Sequence, residues 1–258
     1  MAAFQPKSVF ITGASSGLGR GLALHYARAG ATVHAAARRQ EALAGLADEV
    51  ARASLPGLIV PVALDVTDAE AQARAIAAAE EAAGGALDLV VANAGVGEPT
   101  PATRMDWRRV KRVLDVNVSA ACVTVAAALP AMVARGEGTV VAVASLAALR
   151  GLPGSAAYCA SKAALHTFME GVRVDLRGSG VRALTLYPGF VKTEMTAKNR
   201  FPMPFLMELD DAVEVMAAGI ARGEPALFFP RGLAAAVRAL GALPRALYEP
   251  LAGLGRRR

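Results

Sequence analysis

Ser8-Val9-Phe10-Ile11-Thr12-Gly13-Ala14-Ser15-Ser16-Gly17-Leu18-Gly19 is the stretch on which the fold turns. A short run rich in β-formers breaks at a cluster of small residues and resumes as an Ala- and Leu-rich segment, Leu18–Ala29, of helical length. Glycines at such a junction permit a tight turn and bring the backbone close to an anion, while the free N–H groups of the helix start favour negative charge. The spacing is Gly-x-x-x-Gly-x-Gly, which differs from the Gly-x-Gly-x-x-Gly dinucleotide fingerprint. The context of strand, turn and helix therefore carries the phosphate-site expectation, more than the glycine pattern does.

Outward from this unit the alternation repeats. Apolar runs of strand length are expected at Ser8–Thr12, Thr32–Ala37, Leu58–Ala63, Leu87–Ala92, Thr139–Ala144, Val181–Tyr187 and Ala226–Phe229. Continuously apolar strands suit a parallel sheet buried on both faces. Helices are expected at Leu18–Ala29, Glu41–Ala53, Asp68–Ala83, Trp107–Ala134, Ala156–Arg177 and Asp211–Ala221. The reading is an α/β, doubly wound, parallel, Rossmann-like sheet of seven strands with helices on both faces, in one domain over residues 1–258.

Bulk properties narrow the field. At 258 residues, 54% hydrophobic and 19% charged, the chain has the composition of a globular domain. Its apolar stretches are interrupted by charge or Gly before membrane-spanning length, and no signal peptide is visible. Two cysteines, Cys122 and Cys159, fit a reducing compartment, so a cytoplasmic location is expected. The net charge of +6 is concentrated in the tail, where six arginines from Arg231 onward face Glu249 alone. Aromatic-rich basic patches are missing, which argues against nucleic acid. His25, His34 and His166 lack metal-ligand spacing and an evident partner, so no metal is expected. Trp107 reads as a core or interface anchor, and Cys159 as small apolar packing.

The chemistry concentrates in the middle of the chain. Tyr158 and Lys162 are spaced i, i+4 and share one helix face, so a cation can act on a phenol whose unperturbed pKa is near ~10. Ser145 closes the apolar run Thr139–Ala144. Asn93-Ala94-Gly95 follows the fourth strand, Asn117 lies in the next helical stretch, and Pro188-Gly189 leads to Thr193.

Taken together with the Gly-rich turn, these motifs resemble the short-chain dehydrogenase/reductase family from about Val9 to Phe229. The resemblance implies that Tyr158 exchanges the proton with a carbonyl or alcohol oxygen. Lys162 would hold the nicotinamide ribose and lower the phenol's pKa, Ser145 would orient the substrate oxygen, and Asn117 would keep a water behind Lys162. It also places dinucleotide contacts at Gly13, Ser15, Ser16, Gly17, Leu18, Gly19, Asp65, Val66, Asn93, Gly95, Pro188, Gly189, Val191 and Thr193. Asp65 would bond the adenine amine; by itself it reads as a helix cap. At the end of the second strand, Ala37-Arg38-Arg39 stands where an acidic residue would select NAD, so NADP(H) is expected over NAD(H), with Arg38 as the main phosphate contact.

Two segments escape the alternation. Lys192–Leu209, with Phe201, Pro202, Met203, Pro204, Phe205 and Met207, reads as a lid over an apolar cavity. The tail from Arg231 is amphipathic and is broken by Pro244 into two short helices. It suits packing within the molecule or a dimer, an anionic membrane surface, or an acidic carrier protein. The resulting expectation is an NADPH-dependent reductase of a hydrophobic ketone (3-oxoacyl, long-chain 3-keto or steroid-like), working as a homodimer or homotetramer. The competing readings are an NAD-linked alcohol dehydrogenase working oxidatively and a non-catalytic dinucleotide-sensing scaffold.

Overall fold

The computed structural model describes residues 4–199 and 201–254. Seven strands form one parallel sheet: β1 (Ser8–Thr12), β2 (Thr32–Ala37), β3 (Leu58–Ala63), β4 (Leu89–Ala92), β5 (Gly138–Val143), β6 (Val181–Pro188) and β7 (Ala226–Phe229), in the order β3-β2-β1-β4-β5-β6-β7. Helices α1 (Gly17–Arg28), α2 (Gln40–Arg52), α3 (Ala69–Ala83), α4 (Trp107–Leu114), α5 (Ala120–Arg135), α6 (Ala156–Asp175), α7 (Leu209–Arg222), α8 (Arg231–Ala242) and α9 (Arg245–Leu254) complete the described residues. The fold is the Rossmann-like one expected.

Strand alternation assigns each side chain to a layer. Val9, Ile11, Val33, Ala35, Leu89, Val91, Val141 and Leu184 face α1, α2 and α7, packing with Leu22, Leu43, Leu46, Met216 and Ile220. Phe10, Ala36, Val90, Ala92, Val140 and Ala183 face the other way, against Ile76 of α3, Val125 and Met132 of α5, and Leu165 and Met169 of α6. A third cluster joins Tyr187 of β6 and Leu146 to Leu233 and Ala234 of α8. The tail therefore begins by packing against the carboxyl end of the sheet.

Three expectations about elements need correction. The expected helix Trp107–Ala134 is interrupted: Asp115–Ser119 form a wide π turn between α4 and α5, with Asn117 buried in it. Such insertions concentrate at functional sites. Counted as one run, Trp107–Arg135 spans 29 residues and includes a window apolar enough to cross a membrane, contrary to the expectation that none exists. Its packing against β4, β5, α3 and α6 accounts for that apolarity within the fold. The helix cap before α3 is Asp68, whose carboxylate accepts the Ala71 N–H at 2.9 Å, and not Asp65.

The expected strand Val181–Tyr187 is one residue shorter than the observed β6, and β4 starts at Leu89 instead of Leu87. The tail does split at Pro244, into α8 and α9; Arg256, Arg257 and Arg258 lie outside the described residues.

Position in the sheet sets what a core residue is worth. Leu89 sits on the central strand with no exposure, whereas Leu58, on the edge strand, is 56% exposed. Leu89→Ala should cost about 2–5 kcal/mol of unfolding free energy and Leu58→Ala under ~1 kcal/mol, measured by urea denaturation; similar costs would contradict this layering.

Candidate active site

Strand order reverses between β1 and β4, so the loops leaving their carboxyl ends diverge and open a groove there. The Gly-rich turn fills one side. Gly13 has φ +69°, and a Cβ on it would lie 2.8 Å from the Ala94 Cα; one on Gly19 would lie 2.5 Å from the Gly13 carbonyl oxygen and closer still to Asn93 Nδ2. These glycines let the turn close on the loop after β4. Asn93 clamps the pair by donating from Nδ2 to the carbonyls of Thr12 (2.9 Å) and Gly13 (3.3 Å), and Thr12 Oγ1 accepts the N–H groups of Asn93 and Ala94. Asn93 is thus a brace between strands.

Gly95 differs. A Cβ there would meet only Asn117 Oδ1 at 3.4 Å, Lys162 Nζ at 3.6 Å and the Asn93 carbonyl oxygen at 3.8 Å, all ordinary contacts. The protein's own packing tolerates a methyl at this position, between Asn117 and Lys162.

Tyr158, Ser161 and Lys162 come from α6, and Ser145 from the end of β5. Lys162 is 4% exposed; Nζ donates to the Val143 carbonyl at 2.8 Å and lies 5.8 Å from the centre of the Tyr158 ring. Burial lowers its pKa to about 8. Burial raises that of the Tyr158 phenol, against the lowering expected from Lys162, while the nearby Ser145 hydroxyl pulls it back. Ser145 Oγ also accepts the Ala147 N–H and donates to the Pro188 carbonyl at 3.3 Å. Asn117 has no exposure: Oδ1 accepts the Val96 N–H at 2.8 Å, and Nδ2 donates to the Val96 carbonyl and to Ser161 Oγ, both at 3.0 Å. The four expected catalytic residues converge on one corner.

At the far end of the groove, Asp65 accepts both the N–H and the hydroxyl of Thr67, which hold its carboxyl below the usual range, with Arg38 adding to the effect. Arg38 reaches Asp65 at 4.0 Å. A depression of about 550 Å³ opens beside them, lined also by Val96, Trp107, Arg112 and Val116. Val66 lines a neighbouring one of about 340 Å³. Arg39 was expected to count for less than Arg38, yet its Nε lies 3.2 Å from Ser15 Oγ, on the Gly-rich turn itself. Adjacent arginines at a strand end give no sign in sequence of which turns inward.

Behind β6, Gly189 donates to the Phe229 carbonyl, and a Cβ on it would lie 2.7 Å from Leu233 of α8. Gly17, at φ +54°, faces the Thr193 methyl. Val191 is buried and bridges to Met207. Leu18 packs against the core at the start of α1, and Ser16 is the residue preceding that helix, without a side-chain cap bond.

His166, expected to be partnerless, has Nδ1 2.5 Å from the Tyr187 hydroxyl and Nε2 3.5 Å from Glu170. Trp107 is 64% exposed, with the Arg108 guanidinium over its ring, and so is no core anchor. Cys159 is buried, its sulfur accepting the Leu152 N–H. Among the described residues no three His, Cys, Asp or Glu gather in a way that could hold a metal.

The glycine cradle at the start of α1, a buried ammonium beside an open Gly95 and two arginines at the distal end fit a dinucleotide lying along the groove. Comparison with known proteins agrees. The short chain dehydrogenase family model matches residues 7–203. An uncharacterized oxidoreductase of Myxococcus xanthus is 54% identical over 252 residues, 98% of each chain. One from Mycobacterium tuberculosis is 34% identical over 218 residues, covering 84% of this chain and 85% of that one. Among solved structures, a short-chain dehydrogenase of Sphingobium yanoikuyae in complex with NADPH superposes with TM-score 0.80 at 26% identity, over 97% and 96% of the two chains. A short chain dehydrogenase/reductase of Burkholderia phymatum in complex with NAD reaches 0.83 at 27%, over 92% and 94%. The protein belongs to the short-chain dehydrogenase/reductase family and is an NAD(P)-dependent oxidoreductase.

Lys162 gives a pH signature. Its folded pKa lies below that of an unfolded lysine, so the unfolded chain holds the extra proton between about pH 8 and 10.5, and stability from this group rises with pH across that window. Relative to Lys162→Met, the wild-type apoprotein should gain on the order of 2–3 kcal/mol between pH ~7 and its upper limit, read from urea midpoints. A pH-independent difference would show that the ammonium is not buried.

Proposed function

We propose that the protein reduces the carbonyl of an apolar ketone to the alcohol with NADPH, Tyr158 acting as general acid. The observation that carries this reading is the convergence of the Ser145 hydroxyl, the Tyr158 phenol and the buried Lys162 ammonium beside the space left by Gly95. When bound, the dinucleotide supplies the hydride. The Ser145 hydroxyl donates to the carbonyl oxygen and fixes its orientation, and the Tyr158 hydroxyl gives that oxygen its proton as charge develops there. Lys162 stabilises the phenolate left behind and holds the nicotinamide ribose hydroxyls. Asn117 braces the corner, and the point beside Gly95 that lies 3.4 Å from its Oδ1 and 3.6 Å from Lys162 Nζ would suit a water that returns the proton.

The phosphate-bearing end supports NADPH. Arg38, Arg39 and Ser15 offer a 2′-phosphate guanidinium and hydroxyl partners, and β2 ends in Ala37 with no carboxylate of its own. The substrate side supports an apolar compound: Leu146, Leu149, Phe190 and Leu233 cluster beside Ser145, Phe190 meets Phe201 edge to face, and Met195 reaches across to Gly97. Phe201 and Phe205 remain more than half exposed, so the Lys192–Leu209 segment is placed to close over such a ligand. We assign the enzyme to the cytoplasm as a homodimer or homotetramer. In the tail, α8 is a packing element, while α9 is tied to the body through Tyr248 and leaves Leu247 and Leu251 exposed as a face that would meet a membrane or acidic carrier.

Tyr158→Phe should abolish NADPH oxidation across a panel of apolar ketones, by more than about 10²-fold, while leaving the NADPH dissociation constant nearly unchanged. Turnover surviving in that variant would remove Tyr158 as the acid, and the lack of any turnover in wild type would favour the scaffold reading. Arg38→Ala and Arg39→Ala should each weaken NADPH more than NADH. Stronger oxidation of alcohols with NAD than reduction of ketones with NADPH would favour the dehydrogenase instead. For the tail, full-length protein should float with anionic liposomes and a truncation after Leu243 should not; equal flotation would dismiss the membrane contact.

A further inference from the structure

Arg39 is already occupied. Its Nε is at hydrogen-bond distance from Ser15 Oγ, while its Nη1 lies 3.1 and 3.5 Å from the two carboxylate oxygens of Glu194. Glu194 follows Thr193, whose methyl lies 3.3 Å from where a Cβ on Gly17 would sit. The Gly-rich turn, the start of α2 and the segment leaving β6 therefore meet at a single corner, tied by one guanidinium. Arg38 is engaged separately, through Asp65.

We propose that Glu194 is a positioning residue for cofactor choice, its carboxylate competing with the 2′-phosphate of NADPH for Arg39. The inference rests on the NADPH reading above. A phosphate monoester carries more negative charge than a carboxylate and takes a guanidinium through two parallel bonds. Each two-nitrogen edge of the Arg39 guanidinium is already partly taken, the Nη1/Nη2 edge by Glu194 and the Nε/Nη2 edge by Ser15 Oγ, so a phosphate that takes the Nη1/Nη2 edge must displace Glu194. Binding NADPH must break the Glu194 pair or leave the phosphate with a poorer contact. Binding NADH demands neither, because its ribose hydroxyls need no guanidinium. Both side chains are more than half exposed, at 51% and 66%, so the pair is a weak one that a phosphate can displace. The released carboxylate would still stand near the phosphate and repel it. Both consequences have the same sign: Glu194 holds the preference for NADPH below what the two arginines would otherwise give.

The test is direct titration of the apoprotein with NADPH and NADH, following nucleotide fluorescence or heat, with thermal melts to show that each variant is folded. Glu194→Gln should tighten NADPH binding about two- to fivefold and leave NADH within experimental error. Glu194→Asp, whose shorter arm keeps the charge but reaches less far, should fall between wild type and Glu194→Gln. In an Arg39→Ala background most of the Glu194→Gln gain should vanish. Weaker NADPH binding in Glu194→Gln would mean that the carboxylate orients Arg39 for the phosphate, overturning the competition. An equal change for both nucleotides, or a gain undiminished without Arg39, would overturn it too. If Arg38→Ala and Arg39→Ala leave the NADPH-to-NADH ratio unchanged, the cofactor assignment itself falls; if they change it and Glu194→Gln does not, only the competition falls.

Discussion

A lysine ammonium buried beside the end of β5 is the constraint around which the rest of this molecule is arranged. Among the described residues Lys162 has no carboxylate partner; its Nζ leans on the Val143 carbonyl, and burial draws its pKa down to about 8. A charge held that way costs folding free energy at neutral pH. The cost is tolerable only because the surroundings are rigid: Asn117 ties the loop after β4 to Ser161 of α6, and Ser161 in turn bonds the Tyr158 carbonyl. The π turn is what delivers Asn117 to that position. A regular helix from Trp107 to Arg135 would rotate everything beyond the insertion by a residue, about 100°, and carry the amide away from α6.

The opposite end of the groove solves a different electrostatic problem. Arg38 and Arg39 leave the sheet as adjacent cations, yet neither stands free, since Asp65 and Glu194 each take one. Without phosphate these exposed pairs keep two long side chains from wandering at little gain in stability. The groove thus has a buried, costly charge at one end and solvated, exchangeable charges at the other. That division matches the roles proposed: a catalytic group must be fixed, whereas a selective one must be able to change partners.

Sequence alone yields the sheet because period-two alternation and near-continuous apolarity are local signals. Val9 and Ile11 point one way and Phe10 the other, and nothing beyond their spacing is needed to say so. The corner proposed to carry the chemistry is legible too, since Tyr158 and Lys162 are separated by one helical turn and Ser145 ends a strand. What escaped depends on distant partners. The π turn has no compositional mark, His166 finds Tyr187 across 21 positions, and Arg39 finds Glu194 across 155. Asp65 and Asp68 offer the same capping chemistry three residues apart, and only the backbone course shows that Asp68 meets the helix while Asp65 closes a turn on Thr67. Of the two readings of Trp107, exposure removes the core anchor, and Arg108 stacks on its ring.

The substrate side is illegible for a deeper reason. Its walls come from the loop 146–152 and the segment 190–206, and both are held by the tail. Leu233 covers Gly189, Phe205 packs on Gly232, Arg150 donates to the Gly241 carbonyl at 3.1 Å and stacks on Tyr248, and the Tyr248 hydroxyl bonds the Gly151 carbonyl. The proposed cofactor side draws on strand ends before Val123 and, through Lys162 and Gly189, on later elements, and the proposed substrate side is built mainly after Ser145 by elements gripping one another. Contacts of that kind have no period and no fixed spacing, so they leave no pattern to read. They also couple the mouth to both sides: a change in α8 or α9 reaches it through Gly189 or Gly151, while the Cys159 sulfur takes the Leu152 N–H and Lys162 is held from the sheet side by the Val143 carbonyl.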